Sequence, residues 1–172
     1  MKNLVLTMIL AALLMAPVYG QDGNGKGEAT AVENSRELLE KMDFVIEADR
    51  VVMPDGENVM VSSITNFISV QDDNAVIQIS PLRGSSGPNG VGGLTVEGTT
   101  SKIRISLDKR NNVTMTMMVS GISVSAFVTI TVPEDGNRAV VRIDPSYNME
   151  DITMMGTLVP SGMSDVIQGQ TY

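Results

Sequence analysis

The sequence predicts a mainly β protein, an antiparallel β-sandwich or barrel of about nine short strands with a short N-terminal helix. Three observations carry this. From residue 43 onward, apolar residues alternate with polar ones at a period of two. Clusters of Gly, Pro, Asn and Asp interrupt the alternation at hairpin spacing. No helix-length segment separates one strand from the next, so the rhythm of a parallel α/β sheet is missing.

The pattern is clearest over residues 112–132, NVTMTMMVSGISVSAFVTITV. Val113, Met115, Met117 and Val119 form one apolar face, answered by Ile122, Val124, Ala126, Val128, Ile130 and Val132. A tight turn at Ser120-Gly121 pairs Val119 with Ile122, Met117 with Val124, Met115 with Ala126 and Val113 with Val128. Thr114, Thr116, Ser125, Thr129 and Thr131 then share the other face, uncharged and relieved by Met118 and Phe127.

In chain order, the first folded element is a helix. Asn34-Ser35-Arg36-Glu37 has the form of a capping box, and Leu38, Leu39 and Met42 make an apolar stripe. At about two turns this helix must dock on the sheet. Phe44, Ile46 and Ala48 then alternate with Val45, Glu47 and Asp49 in a first strand, which Pro54-Asp55-Gly56 turns. Short strands are expected at 58–62, 66–70, 75–80, 94–99 and 102–108, the last with Ile103, Ile105 and Leu107 in phase. The connection Lys109-Arg110-Asn111 suits a type I turn closed by a left-handed Asn, and it sets Leu107 opposite Val113. Beyond the central hairpin, strands are expected at 138–143 and 152–158.

The chain opens as a secretory signal peptide. Lys2 is the positive start, residues 4–15 are apolar but for Thr7, Pro17 ends any helix, and Val18-Tyr19-Gly20 supplies small residues for cleavage before Gln21. The apolar run is shorter than the roughly 20 residues that span a bilayer. The reading is therefore residues 1–20 as signal, 21–33 as a Gly-rich flexible leader, 34–160 as one all-β domain and 161–172 as a tail. The expected product is periplasmic or secreted, with no membrane anchor after signal cleavage, since Cys 0 leaves no acceptor for a lipid.

Composition narrows the chemistry. His 0 excludes the Ser–His–acid mechanism and Cys 0 excludes thiol chemistry. A net charge of −8 makes nucleic acid and anionic lipid poor partners. The carboxylate pairs Asp72-Asp73, Glu134-Asp135 and Glu150-Asp151 are candidates for hydrolysis of envelope glycans or lipids, but each reads first as a solvated turn. Met115, Met117, Met118, Met149, Met154 and Met155 suggest a Cu(I) site, yet Met115 and Met117 alternate in phase with valines as core residues do. No catalytic residue, metal or cofactor is assigned on these grounds.

The order of landmarks resembles a secreted Bacteroidetes family, domain of unknown function 4251 (DUF4251). The resemblance runs from about Leu38 to Leu158. It takes in FVIEADRVV, the step VQDDNAVIQISP into a glycine loop ending Gly92-Gly93-Leu94, and the closing AVVRIDPSYNMEDITMMGTL. Ser146, Asn148, Ile152 and Gly156 match the family pattern. Met149 stands where an Arg is usual, Met154 where a Tyr is usual, and Leu82-Arg83 where aromatics follow Pro81. The resemblance implies compartment and domain limits; it brings no activity with it.

The expected function is a non-catalytic binding or interaction module of the cell envelope, for an unknown protein or small ligand. The candidate site is the long irregular segment 81–93, with Pro81, Leu82, Arg83, Gly84, Gly92 and Gly93, joined by Ser146 and Asn148 of the loop before the last strand. Its bland alternative is a disordered connector. The runner-up function is a carboxylate-dependent hydrolase, which the scarcity of aromatics (3%) disfavours.

Overall fold

The computed structural model describes residues 35–52, 56–80, 93–134, 136–146 and 150–166. Residues 1–34, which include the expected signal segment, leader and capping residue Asn34, residues 53–55, 81–92, 135 and 147–149, and residues 167–172 lie outside the described residues.

Helix α1 occupies 35–41. The strands are β1 (Asp43–Val52), β2 (Asn58–Met60), β3 (Phe67–Gln71), β4 (Asn74–Ile79), β5 (Leu94–Leu107), β6 (Val113–Gly121), β7 (Ser125–Val132), β8 (Arg138–Pro145) and β9 (Ile152–Pro160). All pairings are antiparallel, and β9 returns to pair with β1. The sheet is therefore a closed barrel of eight strands, and of the two architectures expected the barrel is the one formed. β2 is the extra strand: it pairs with β1 at Arg50–Val52, on the edge that β3 uses at Asp43–Glu47. Between them, residues 61–66 face only Ala48 and Asp49, so the chain bows outward there.

Closure follows from the alternation. Each strand has one apolar face, and an eight-strand barrel is just wide enough for side chains to fill its interior. Phe44, Ile46, Ile68, Val70, Ile77, Val96, Met115, Met117, Val128, Ile130, Val141, Ile143, Met154 and Leu158 are buried in one continuous core. Met115, Met117 and Met154 are sealed in it, which is the packing role their phase predicts.

Following the register round the barrel displaces the starting residue by roughly 12 positions once the β5 bulge is discounted. Much of this stagger falls on β5. Asn74–Ile79 of β4 pairs with Leu94–Thr99, whereas β6 pairs with Gly98–Leu107. The strands expected separately at 94–99 and 102–108 are thus one strand. It bends at a bulge between Ser101 and Arg104, where Lys102 takes φ 53°. The turn beyond it is as expected, with Asn111 at φ 58° and Leu107 opposite Val113.

The central hairpin corrects the expected register. Val113 faces Val132, Met115 faces Ile130, Met117 faces Val128 and Val119 faces Ala126, four residues from the pairing that a turn at Ser120-Gly121 demands. Val124 is half-buried in the connection and is not the cross-strand partner of Met117; Ile122 is fully exposed. An even slip keeps apolar residues opposite apolar ones, so alternation alone cannot choose between the two. Gly121 separates them. It stays in the sheet opposite Gly98, where a Cβ would come within 2.8 Å of the Glu97 carbonyl oxygen.

Helix α1 crosses one mouth of the barrel. At its start the Ser35 hydroxyl donates to the Gly136 carbonyl at 3.2 Å. Just past its end, the Met42 carbonyl accepts from the Asp72 amide at 2.8 Å. Leu39 points into the core with no exposed surface, and Leu38 and Met42 pack beside it. The outer wall is also partly covered. Val45, expected on the polar face of β1, is fully buried with Phe67 beneath Val166, which follows the 3-10 turn Ser161–Met163.

An ion pair ties the closing strands together. Arg138 of β8 donates to both carboxylate oxygens of Asp49 on β1 and, at 3.2 Å, to the Thr157 hydroxyl of β9 between them. The Arg138 hydrogen bond holds the Asp49 carboxyl below its ordinary value. Its stabilisation is therefore complete above the unfolded-state pKa of about 4 and is lost as pH falls through the lower folded value. Both side chains are about half exposed, so Asp49→Asn is expected to cost roughly 0.5 kcal/mol or less at neutral pH. Urea midpoints of the two proteins should converge in acid.

Candidate binding surface

Strand directions sort the connections between the two ends of the barrel. The turns after β3, β5 and β7 lie at the end crossed by α1. The connections after β4, β6 and β8 lie at the opposite end, together with the bowed segment 61–66. The two segments expected to form the site, 81–93 and the loop after β8, therefore leave the barrel at the same end.

Their described bases are held by side chains. Asn66 is buried at the top of β3. Its amide nitrogen donates to the Ser62 carbonyl at 3.0 Å, to the Thr65 hydroxyl at 3.0 Å and to the Ser80 hydroxyl at 3.1 Å. Its amide oxygen accepts from the Ser80 backbone at 3.0 Å. A buried amide satisfied on both sides costs little, and it fixes the residue from which segment 81–92 departs. Nothing in the period-two pattern marks Asn66; its one signal is a polar residue immediately before an apolar run. On the other side, the Ser125 amide donates to the Ser146 hydroxyl at 3.1 Å, and the Ser146 amide donates to the Ser125 carbonyl at 2.8 Å.

Of the residues expected at the site, Gly93 and Ser146 are described. Gly93 is exposed at the start of β5. Ser146 is half-buried and clasps β7 to the end of β8, which is a structural duty. Pro81, Leu82, Arg83, Gly84, Gly92 and Asn148 lie outside the described residues. Beyond these bases, Met60, Ile64 and Ile122 stand exposed at the same end.

The carboxylates do not assemble into a hydrolytic pair among the described residues. Asp72 and Asp73 lie beside the end of α1, whereas Glu134 is held by Asn111 and Asn112 at the turn between β5 and β6. Glu150 and Asp151 are at the other end of the barrel, and Asp151 is paired with Arg142. No group of three acidic, His or Cys side chains is placed to hold a metal ion among the described residues. A groove of about 560 Å³ runs between α1 and the end of β9, lined by Leu38, Leu158, Pro160 and Met163 among others. Its charged residues, Glu37 and Lys41, pair with each other at 2.6 Å. No helix of the described residues is long and apolar enough to cross a membrane.

The family model described as Domain of unknown function (DUF4251) matches residues 26–158. Among solved structures, the crystal structure of a DUF4251 family protein from Bacteroides eggerthii superposes with a TM-score of 0.71 at 34% sequence identity. The match covers 84% of this chain and 97% of that one. No curated protein matches. The closed barrel, the family match over most of the chain and the agreement with a solved relative lead to one conclusion: this chain belongs to the DUF4251 family.

Proposed function

We propose that the protein is an exported, non-catalytic binding module of the cell envelope, cut before Gln21, that engages a protein or small ligand with the loops at the end opposite α1. The observation that supports this most is the convergence of the two long connections on one end, each leaving from a base pinned by hydrogen bonds, Asn66–Ser80 and Ser125–Ser146. Rigid scaffolds that present irregular loops in this way carry recognition more often than their cores do. The interior is filled by apolar side chains, so recognition belongs to the rim.

The test is a loop exchange. Replacing residues 81–92 by Asn-Gly should leave the far-ultraviolet circular dichroism unchanged and shift stability by about 1 kcal/mol or less, because loop-closure entropy varies slowly with length. Binding to envelope extracts should be lost. Undiminished binding by the shortened protein would place recognition elsewhere.

A further inference from the structure

The stagger concentrated on β5 leaves part of that strand with a single neighbour. Among the described residues, β4 pairs only as far as Thr99, and the last backbone bond on that side joins the Thr100 amide to the Asp73 carbonyl at 2.8 Å. Within the described residues, 101–107 therefore bond to β6 alone. The Asp108 amide donates to the Asn112 carbonyl, so ladder alternation directs Ser106 and Arg104 toward β6 and turns the amide and carbonyl of Ile105 and Leu107 outward. Among the described residues this is an open sheet edge in a barrel whose strands otherwise pair round to closure.

The edge also has a chemical signature. Ile105 packs against the core, while Ile103 and Leu107 remain 41% and 46% exposed. Lys102, Arg104, Lys109 and Arg110 stand within this hairpin against one acid, Asp108, in a chain whose net charge is −8. The ion pairs of the described residues use Arg36, Lys41, Arg138 and Arg142. Of the hairpin cations, Arg110 lies near enough to Asp108 for its charge to add to the Asn112 hydrogen bond in holding that carboxyl below its ordinary value, and Lys102, Arg104 and Lys109 take part in none of those pairs.

We propose that the edge at 101–107 receives an extended acidic segment of a partner protein as an additional strand. The added strand would exchange backbone hydrogen bonds with Ile105 and Leu107. Its apolar side chains would continue the Ile105–Leu107 face, and its acidic ones would lie beside Arg104 on the other. A second copy of this chain docked edge to edge fits poorly, because it would set these cations against one another. Cations on an edge can also serve only to prevent such self-pairing, and the two readings differ in whether an acidic strand binds. The proposal uses a different surface from the loop end and stands or falls apart from it.

The probe is a short, capped synthetic peptide alternating Glu with Val, titrated into the isotope-labelled protein and followed by amide resonances. Shifts should concentrate on 101–107, the Ile105 and Leu107 amides should gain exchange protection, and added salt should weaken binding. The doubly substituted Lys102→Glu, Arg104→Glu protein should bind about tenfold more weakly, since two exposed ion pairs become repulsions. Methylating the ladder-facing amides of the peptide should abolish binding to the unaltered protein, a control independent of any variant's folding. The proposal is overturned if the peptide does not bind, if a Lys-Val counterpart binds equally, if the shifts map to the loop end, or if sedimentation shows dimers joined through this edge.

Discussion

Val128→Asp is expected to leave the protein unfolded in water. Val128 has no exposed surface and sits in the barrel wall between Met117 of β6 and Ile143 of β8, both fully buried. A carboxylate placed there faces aliphatic neighbours with no cation to meet it. An unpaired buried charge costs several kcal/mol, comparable with the roughly 5–15 kcal/mol that holds a domain folded. Thr129→Asp, one residue on, faces outward and should shift stability by about 1 kcal/mol or less. Urea unfolding followed by circular dichroism separates the two. A Val128→Asp protein nearly as stable as Thr129→Asp would mean that the interior admits water.

The second large effect is expected at Gly156. This residue of β9 faces Ala48 of β1 on one side and Ala139 of β8 on the other, so three small residues lie in a row where the barrel closes. A Cβ added at Gly156 would overlap the Glu47 carbonyl and crowd the Ala48 backbone at 2.8 Å, and main chain cannot rotate aside. Gly156→Ala should therefore cost about 3 kcal/mol by forcing β1 and β9 apart. Amide exchange should show the loss along the β1–β9 ladder first. Gly162→Ala is the control: nothing lies within 4 Å of its Cβ position, and about 0.5 kcal/mol or less is expected.

Strand existence and inward faces were legible because they depend on neighbours in sequence. Ala139, Val141 and Ile143 are buried as their alternation requires, and Asn111 adopts the left-handed backbone that its turn calls for. Pairings decided by distant residues were not legible. The Met117–Val128 register differs from the expected Met117–Val124 by an even slip, invisible to a period of two and settled by the contact of Gly121 with β5. Barrel and sandwich share the same alternation, and the difference lies in whether β9 meets β1. Val45 reads as an outward residue of its strand, and what buries it is Val166 from the other end of the chain. The candidate site rests on loop length and glycine content read from the sequence, and of its residues the structure describes Gly93 and Ser146. Asn66, which anchors one of its bases, carries no periodic mark.

Pairing of the first barrel strand with the last also orders events during folding. The β3–β4, β5–β6, β6–β7, β7–β8 and β8–β9 contacts join neighbours in sequence and can form as the chain becomes available. The β1–β9 ladder must wait for the C-terminal strand, and its loop closure is the costliest in the molecule. Until then β1 and β8 each present an uncovered row of backbone groups. A chain truncated before Ile152 should therefore self-associate through its strands instead of folding as a smaller barrel, and the rate-limiting step for the whole protein should be the arrival of β9.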